Sequence, residues 1–224
     1  MSGLFKSSIA RKVAMALSGM FLIVFLAQHF FINFTSVISA QSFNELSHFM
    51  GTNPLIQYLM QPILMIGVVF HFVMGFVLEI QNRSSRKIRY VKYSGSANSS
   101  WMSRNMIWSG GFILIFLIVH LIDFWVPEIN TKFIQGDMSG LNAAGDYRYF
   151  EHLQLTFAPL WRTLLYCVGF VFLALHLLHG FQSSFQSVGF NNKYSRGLKK
   201  FTTAFAILVP LGFIIIAIYH HLNY

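Results

Sequence analysis

The most regular feature of the chain is the alternation of long apolar runs with short polar segments. Five runs carry charge only near their ends, and each approaches or exceeds the roughly 20 residues that a helix needs to cross a bilayer. They predict helices at about 13–34, 58–80, 104–126, 162–186 and 200–222. The first run is too long for the apolar part of a signal peptide and lacks a small-residue cleavage site. We therefore predict an all-α membrane protein with five transmembrane helices in a single domain, 1–224.

Composition supports this prediction and removes several classes of protein. The chain is 55% hydrophobic and 10% charged, with a mean hydropathy of +0.56, whereas a soluble domain carries about 25% charged residues. The single cysteine, Cys167, excludes an internal disulfide and any zinc or iron–sulfur site built from cysteines of this chain. In a soluble protein, a net charge of +9 would suggest that the protein binds nucleic acid. Here the lipid bilayer is the expected environment, and no nucleic-acid partner is predicted.

The basic residues are concentrated on one side of the predicted topology. Of the 16 Lys and Arg, 13 lie in the segments 1–12, 81–104 and 189–200. Positive charge favours the cytoplasmic face, so the N-terminus is predicted to be cytoplasmic and the C-terminus to lie outside. The basic segments could serve orientation alone, or could also dock a partner or anionic lipid.

Four of the nine histidines lie one each in the first four apolar runs: His29, His71, His120 and His176. An ionisable side chain at membrane depth is a functional-site hypothesis, and neutral imidazole is the commonest metal ligand. At 1.5 Å per residue, His29 and His120 lie ~8 Å outward of the middle of their runs. His71 and His176 lie ~3 and ~5 Å towards the cytoplasm. We therefore predict an outer pair, His29 with His120, and an inner pair, His71 with His176.

A shared glycine spacing supports the choice of the inner pair. His71 and His176 each begin the pattern His-x-x-x-Gly, which ends at Gly75 and Gly180. A glycine one turn along the same helix face leaves room for a flat ring against the backbone. His179 does not share this spacing, so it is interpreted as a polar neighbour of the inner site rather than as the ligand.

The first and third runs carry a second pair of small residues. Ser18-Gly19 precedes His29, and Ser109-Gly110 precedes His120, by ten or eleven residues. Three helical turns correspond to ~16 Å, which places these residues at the depth of the inner pair. Taken alone they could be ordinary small-residue helix packing. Together with paired histidines on facing helices they favour two haem b groups, each with two axial imidazoles, inside a four-helix bundle. The fifth helix has no ligand candidate and is expected beside that bundle.

At this point the chain resembles the di-haem cytochrome b subunit that anchors bacterial succinate dehydrogenases and fumarate reductases (succinate:menaquinone oxidoreductases). The resemblance covers essentially the whole chain. It rests on four histidine motifs and one loop: Ala27-Gln28-His29, Val69-Phe70-His71 with Gly75, Ser109-Gly110 to His120, Ala174-Leu175-His176 with Gly180, and Ser42-Phe43-Asn44 followed by Phe49-Met50-Gly51. It implies the same axial pairing, with His71 and His176 on the inner haem and His29 and His120 on the outer.

The resemblance also implies a function and partners. A flavoprotein (FAD) subunit and an iron–sulfur subunit would dock on the cytoplasmic face of a bacterial inner membrane. Electrons would pass through the two haems to menaquinone, or in the reverse direction, and this chain would make no bond to succinate. The alternative within the same chemistry is the di-haem cytochrome b of a hydrogenase or formate dehydrogenase. A membrane di-iron oxygenase or desaturase needs clustered histidine boxes, and a transporter would carry no visible chromophore; both remain open.

The quinone site is predicted from a single carboxylate. Asp123 lies three residues after His120, on roughly the same helix face. One interpretation is that Asp123 ends the helix in interfacial water; the other is that it relays a proton to quinone beside the outer haem. His48 and His152 are expected in outer loops, and His220 and His221 as exposed residues at the outer interface.

Overall fold

The computed structural model describes residues 7–84, 105–190 and 194–224 and is almost entirely helical, with no strand in those ranges. Five helices are long and apolar enough to cross a membrane, which confirms the predicted fold class. Two shorter helices lie between them. In chain order the seven are α1 (Ser8–Ile38), α2 (Ala40–Thr52), α3 (Ile56–Ser84), α4 (Met106–Ile134), α5 (Tyr149–Phe157), α6 (Leu160–Ser187) and α7 (Ser195–Leu222). Which end faces the cytoplasm stays a prediction from charge.

Four of the spanning helices form a bundle, and the fifth lies beside it. α1 packs against α3 and α6, α4 packs against α6, and α3 meets α4 over a smaller contact. α7 packs along α6 and α1. At one end, called here the outer end, α2 packs against α5. The segment 35–57 is therefore mostly helix rather than loop.

Phenylalanine rings seated on glycines join several of these helices. A Cβ added at each of three glycines would overlap a ring from a neighbouring helix, so only the absence of a side chain permits the contact. The pairs are Phe21 of α1 on Gly67 of α3, Phe116 of α4 on Gly169 of α6, and Phe30 of α1 on Gly212 of α7.

α4 extends furthest beyond its predicted end. The predicted end is near residue 126, but the helix continues through Pro127 to Ile134 by way of two π-helical turns, Leu121–Trp125 and Asn130–Ile134. Proline is accepted there because it stands in the first turn of the α-helical piece between them, Val126–Ile129. The extension carries Glu128 and Lys132 into the cap at the outer end.

An ion-pair network holds that cap together. Arg148 meets the Glu128 carboxylate through two nitrogens, at 3.0 and 3.1 Å. Lys132, only 5% exposed, lies 3.0 Å from the same carboxylate and donates to the Gly51 carbonyl at 2.8 Å. Through Lys132 the network ties α4 to the end of α2. Through Arg148 it ties α4 to the segment before α5.

Part of the predicted basic face lies outside the described residues: Lys6, Arg86, Lys87, Arg89, Lys92, Arg104 and Lys193. Within the described ranges, Arg83 forms an ion pair with Glu79 at 2.7 Å. Arg196, Lys199 and Lys200 are exposed in the first two turns of α7.

Candidate functional site

The outer pair lies across a diagonal of the bundle, between α1 and α4. The ring centroids of His29 and His120 are 5.7 Å apart and the rings are nearly perpendicular, at 84°. Phe25 stacks on His29 at 5.4 Å, and Phe116 stacks on His120 at 6.0 Å. Phe213 of α7 lies 5.7 Å from the His29 ring, so the fifth helix helps to enclose this pair although it offers no ligand.

The inner pair lies across the other diagonal, between α3 and α6. The ring centroids of His71 and His176 are 6.4 Å apart, with an interplanar angle of 73°. The Ser18 hydroxyl oxygen of α1 lies 3.0 Å from His71 Nδ1. In the same way, Ser109 of α4 lies 3.3 Å from His176 Nδ1. Each imidazole is thus held by the helix beside its own.

The glycines next to these serines form part of the same cradle. A Cβ at Gly19 would lie 3.2 Å from His71 Cε1, and one at Gly110 would lie 3.7 Å from His176 Cε1. Both Ser-Gly steps therefore lie at the depth of the inner pair, where three helical turns from His29 and His120 predict them.

Gly75 and Gly180 have different neighbours. The nearest side-chain atoms to a Cβ added there are Met15 Cε, at 3.6 Å, and Met106 Cε, at 3.0 Å. In the structure flexible methionine side chains, rather than the facing imidazoles, lie over these glycines. Methionine adapts readily to irregular space, so the glycine faces can still accommodate a flat group if these side chains move.

The distances within each pair fit two imidazoles on one metal ion. A metal–nitrogen bond of about 2 Å on each side puts the two ring centroids roughly 6 Å apart, and the observed separations are 5.7 and 6.4 Å. Nowhere in the described ranges do three or more His, Cys, Asp or Glu side chains form a metal-holding group. His120 Nδ1 is also buried without a hydrogen-bond partner in that part of the chain. Two protein donors on opposite sides are the donor set that haem iron takes.

Asp123 is enclosed rather than exposed at a helix end. Its side chain is 9% exposed, and α4 continues beyond it to Ile134, so the interpretation of Asp123 as a helix-terminal residue in interfacial water is wrong. Tyr166 of α6 donates its hydroxyl to the carboxylate at 2.8 Å. Arg162 lies 3.4 Å from the other carboxylate oxygen. The Tyr166 ring is 6.2 Å from that of His120, which links the carboxylate to the outer pair.

His152 is tied to the same place through the backbone. Because Pro127 has no N–H, it cannot bond the Asp123 carbonyl four residues earlier. His152 Nε2 of α5 lies 2.7 Å from that carbonyl oxygen and must donate to it, since a carbonyl only accepts. His152 belongs to α5, a helix of the cap, and not to an outer loop as predicted.

The remaining outer histidines also differ from expectation. His48 lies on α2, with its ring stacked on Tyr147 at 4.3 Å. His220 is completely buried, and its Nε2 lies 2.8 Å from Ser36 Oγ of α1. His221 Nδ1 lies 3.0 Å from the Ala158 carbonyl. Hydropathy cannot show that a helix end is covered by α1 and α5, so exposure was the wrong expectation for His220.

His179 lies one turn after His176 on α6 and is partly buried. With no third ligand converging on it in the described ranges, the pair His176 and His179 lacks the clustering that a di-iron histidine box needs.

Sequence reasoning missed Tyr166 and the two methionines. A signal for the methionines was present: the pattern Met-x-x-Ser-Gly, with His ten residues after the glycine, occurs twice, from Met15 to His29 and from Met106 to His120. Nothing in the local sequence points to Tyr166, which reaches Asp123 only through the packing of α4 on α6. No family model matches the chain, and neither a curated protein nor a solved structure matches it.

Proposed function

We propose that the chain is the di-haem cytochrome b subunit of a respiratory succinate:menaquinone oxidoreductase, a succinate dehydrogenase or fumarate reductase. The observation that carries the proposal is the presence of two imidazole pairs, each across a different diagonal of one bundle, each at a separation that fits one metal ion. One such pair could be chance packing of core histidines. Two, built from four different helices, favour a pair of cofactors at two depths.

His29 and His120 would hold the outer haem b, and His71 and His176 the inner one. A bound haem would supply one-electron chemistry at its iron. The chain's own contribution is to hold each imidazole and to keep water away. Phenylalanines stack on the imidazoles of the outer pair, and apolar walls of this kind lower the local dielectric constant and so affect the potential of a bound metal.

Asp123 is proposed as the proton-carrying group for quinone at the outer site. Reducing a quinone takes up two protons as well as two electrons, so an acid within reach of the last carrier is required. The Asp123 carboxylate accepts a hydrogen bond from the Tyr166 hydroxyl, and the Tyr166 ring lies 6.2 Å from the His120 ring. Arg162 lies 3.4 Å from the other oxygen of the same carboxylate. This arrangement keeps a carboxyl group beside the outer pair and gives it a hydroxyl neighbour through which a proton can move.

The chain would not act on succinate itself. Its partners would be the flavoprotein (FAD) and iron–sulfur subunits, docked on a basic face in a bacterial inner membrane. The exposed Arg196, Lys199 and Lys200 at the inner end of α7 are one described part of that face. Salt screens contacts between exposed charges of this kind, and the screening length is about 10 Å at 0.1 M salt.

The test is purification of the complex from native membranes. Co-purifying flavoprotein and iron–sulfur subunits with succinate-dependent haem reduction are expected. Subunits of a hydrogenase or formate dehydrogenase would contradict the assignment to succinate while leaving the haem sites standing. Reversal of Arg196, Lys199 and Lys200 to Glu should weaken subunit retention most at low salt, where contacts between charges are least screened. Stoichiometric retention at every salt concentration would show that these residues serve orientation only.

A further inference from the structure

We propose that Ser18 and Ser109 are positioning residues that hold both inner-pair imidazoles in the tautomer with the proton on Nδ1, so that each Nε2 keeps its lone pair for metal. The inference rests on the proposed function, because the metal in question is the iron of the inner haem. It concerns hydroxyl groups that the sequence singled out only for their small size.

The argument starts from the single proton of a hydroxyl group. Ser18 Oγ lies 2.8 Å from the Met15 carbonyl oxygen and 3.0 Å from His71 Nδ1. The carbonyl can only accept, so the proton in that contact must come from the serine. Ser18 then has only lone pairs to offer to His71, and the proton in the second contact must come from Nδ1.

The same arrangement occurs in the other half of the bundle. Ser109 Oγ lies 2.9 Å from the Met106 carbonyl oxygen and 3.3 Å from His176 Nδ1. The carbonyl contact is again the shorter, so His176 Nδ1 donates. Neutral imidazole has one N–H. With Nδ1 protonated, Nε2 of each inner histidine is therefore an unprotonated donor atom.

Among the described residues, no equivalent serine lies beside the imidazoles of the outer pair. His120 Nδ1 is buried with no hydrogen-bond partner among the described residues. Near His29 the Asn33 amide nitrogen is 3.4 Å from each ring nitrogen, but it donates to the His29 carbonyl at 2.8 Å. A hydroxyl acceptor on Nδ1 is thus a property of the inner pair, and its removal should affect only one of the two haems.

The direction of the effect follows from ligand basicity. An N–H that donates to an acceptor makes the ligating nitrogen a stronger electron donor, which favours the oxidised iron. Ser18→Ala or Ser109→Ala removes the acceptor, so the midpoint potential of one haem should rise while the other stays unchanged. Loss of a partner of this kind typically weakens metal binding by roughly 10-fold or more, so the same haem should also be retained less well in detergent.

The experiment is an optical redox titration of the purified complex, with low-temperature EPR of the oxidised haems and a haem count. Ser18→Thr and Ser109→Thr keep the hydroxyl and should restore the wild-type midpoint and EPR signal. Ser184→Ala is the matched control, because Ser184 is a buried serine of α6 near Gly19 whose hydroxyl donates to the Gly180 carbonyl. It should shift neither midpoint.

If an alanine variant fails to accumulate, Ser18→Cys or Ser109→Cys replaces it. A thiol is a weak acceptor, so the midpoint potential of the same haem should rise by a smaller amount. Unshifted midpoints and EPR signals in the serine variants, with two haems in the wild type, would overturn the inference alone. Shifts of both haems together would also overturn it, since they would indicate general loosening of the bundle. A wild-type protein without haem would overturn the proposed function and this inference with it.

Discussion

The tightest contact of the inner pair predicts that two glycines in equivalent positions respond differently to alanine. A Cβ at Gly19 would lie 3.2 Å from His71 Cε1 and 3.4 Å from Ser184 Oγ. At Gly110 the nearest atom, His176 Cε1, is at 3.7 Å, an ordinary van der Waals distance. His71 must therefore move by a few tenths of an ångström in Gly19→Ala, whereas Gly110→Ala fits without movement.

The two variants share the same gain in helix propensity, at most about 1 kcal/mol, so their difference isolates the contact. Overpacking in a close-packed interior costs about 1–3 kcal/mol. We expect Gly19→Ala to be less stable than Gly110→Ala by about 2 kcal/mol, which is roughly 4–8 °C in Tm for a chain of this size. Because the His71 ring must move away from the added Cβ, the Ser18–His71 hydrogen bond should also be strained.

The assay is thermal unfolding in detergent followed by circular dichroism, with Gly111→Ala as the control, since nothing lies within 4 Å of a Cβ there. Gly111→Ala and Gly110→Ala should match or slightly exceed wild-type stability. Equal destabilisation of Gly19→Ala and Gly110→Ala, or a stabilised Gly19→Ala, would refute the packing of the inner imidazoles described above.

Three further predictions follow from the two pairs and the cap. His29→Ala should remove only the outer haem and His176→Ala only the inner, as read from the haem count and redox titration; loss of both haems in each variant would argue against separate sites. Asp123→Asn should cut quinone-linked turnover strongly while both haems and electron transfer to artificial dyes persist; unchanged turnover would end its role as a proton relay. Burial, reinforced by the negative charge of Glu128, raises the pKa of Tyr149 to about 12, above its unfolded value of about 10. Its contribution to stability should therefore be complete below about pH 10 and lost as pH rises through about 12, a loss that should be smaller in Tyr149→Phe when Tm is measured against pH.

The sequence predicted well those features that follow from regular spacing along a single helix. Run length gives the five spans, and the rise per residue predicts which histidines share a depth. His29 with His120, and His71 with His176, are brought together in the structure. Their role as haem ligands stays a prediction.

What sequence could not give depends on contacts between segments far apart in the chain. α4 continues past its predicted end near residue 126, because a proline in the first turn of a helical piece is tolerated. His152 of α5 donates to the Asp123 carbonyl, which Pro127 cannot do. His220 looked exposed because it stands near the end of an apolar run. It is buried because α5 and α1 cover it, through Phe150 and Ser36.

The most direct test of the central claim is a count of haem in the purified chain. Pyridine haemochrome analysis against protein concentration should find two haem b per polypeptide, with a reduced-minus-oxidised spectrum typical of low-spin haem with two axial imidazoles. One haem per chain would contradict the existence of two equivalent diagonal sites. No haem would contradict the proposed function altogether.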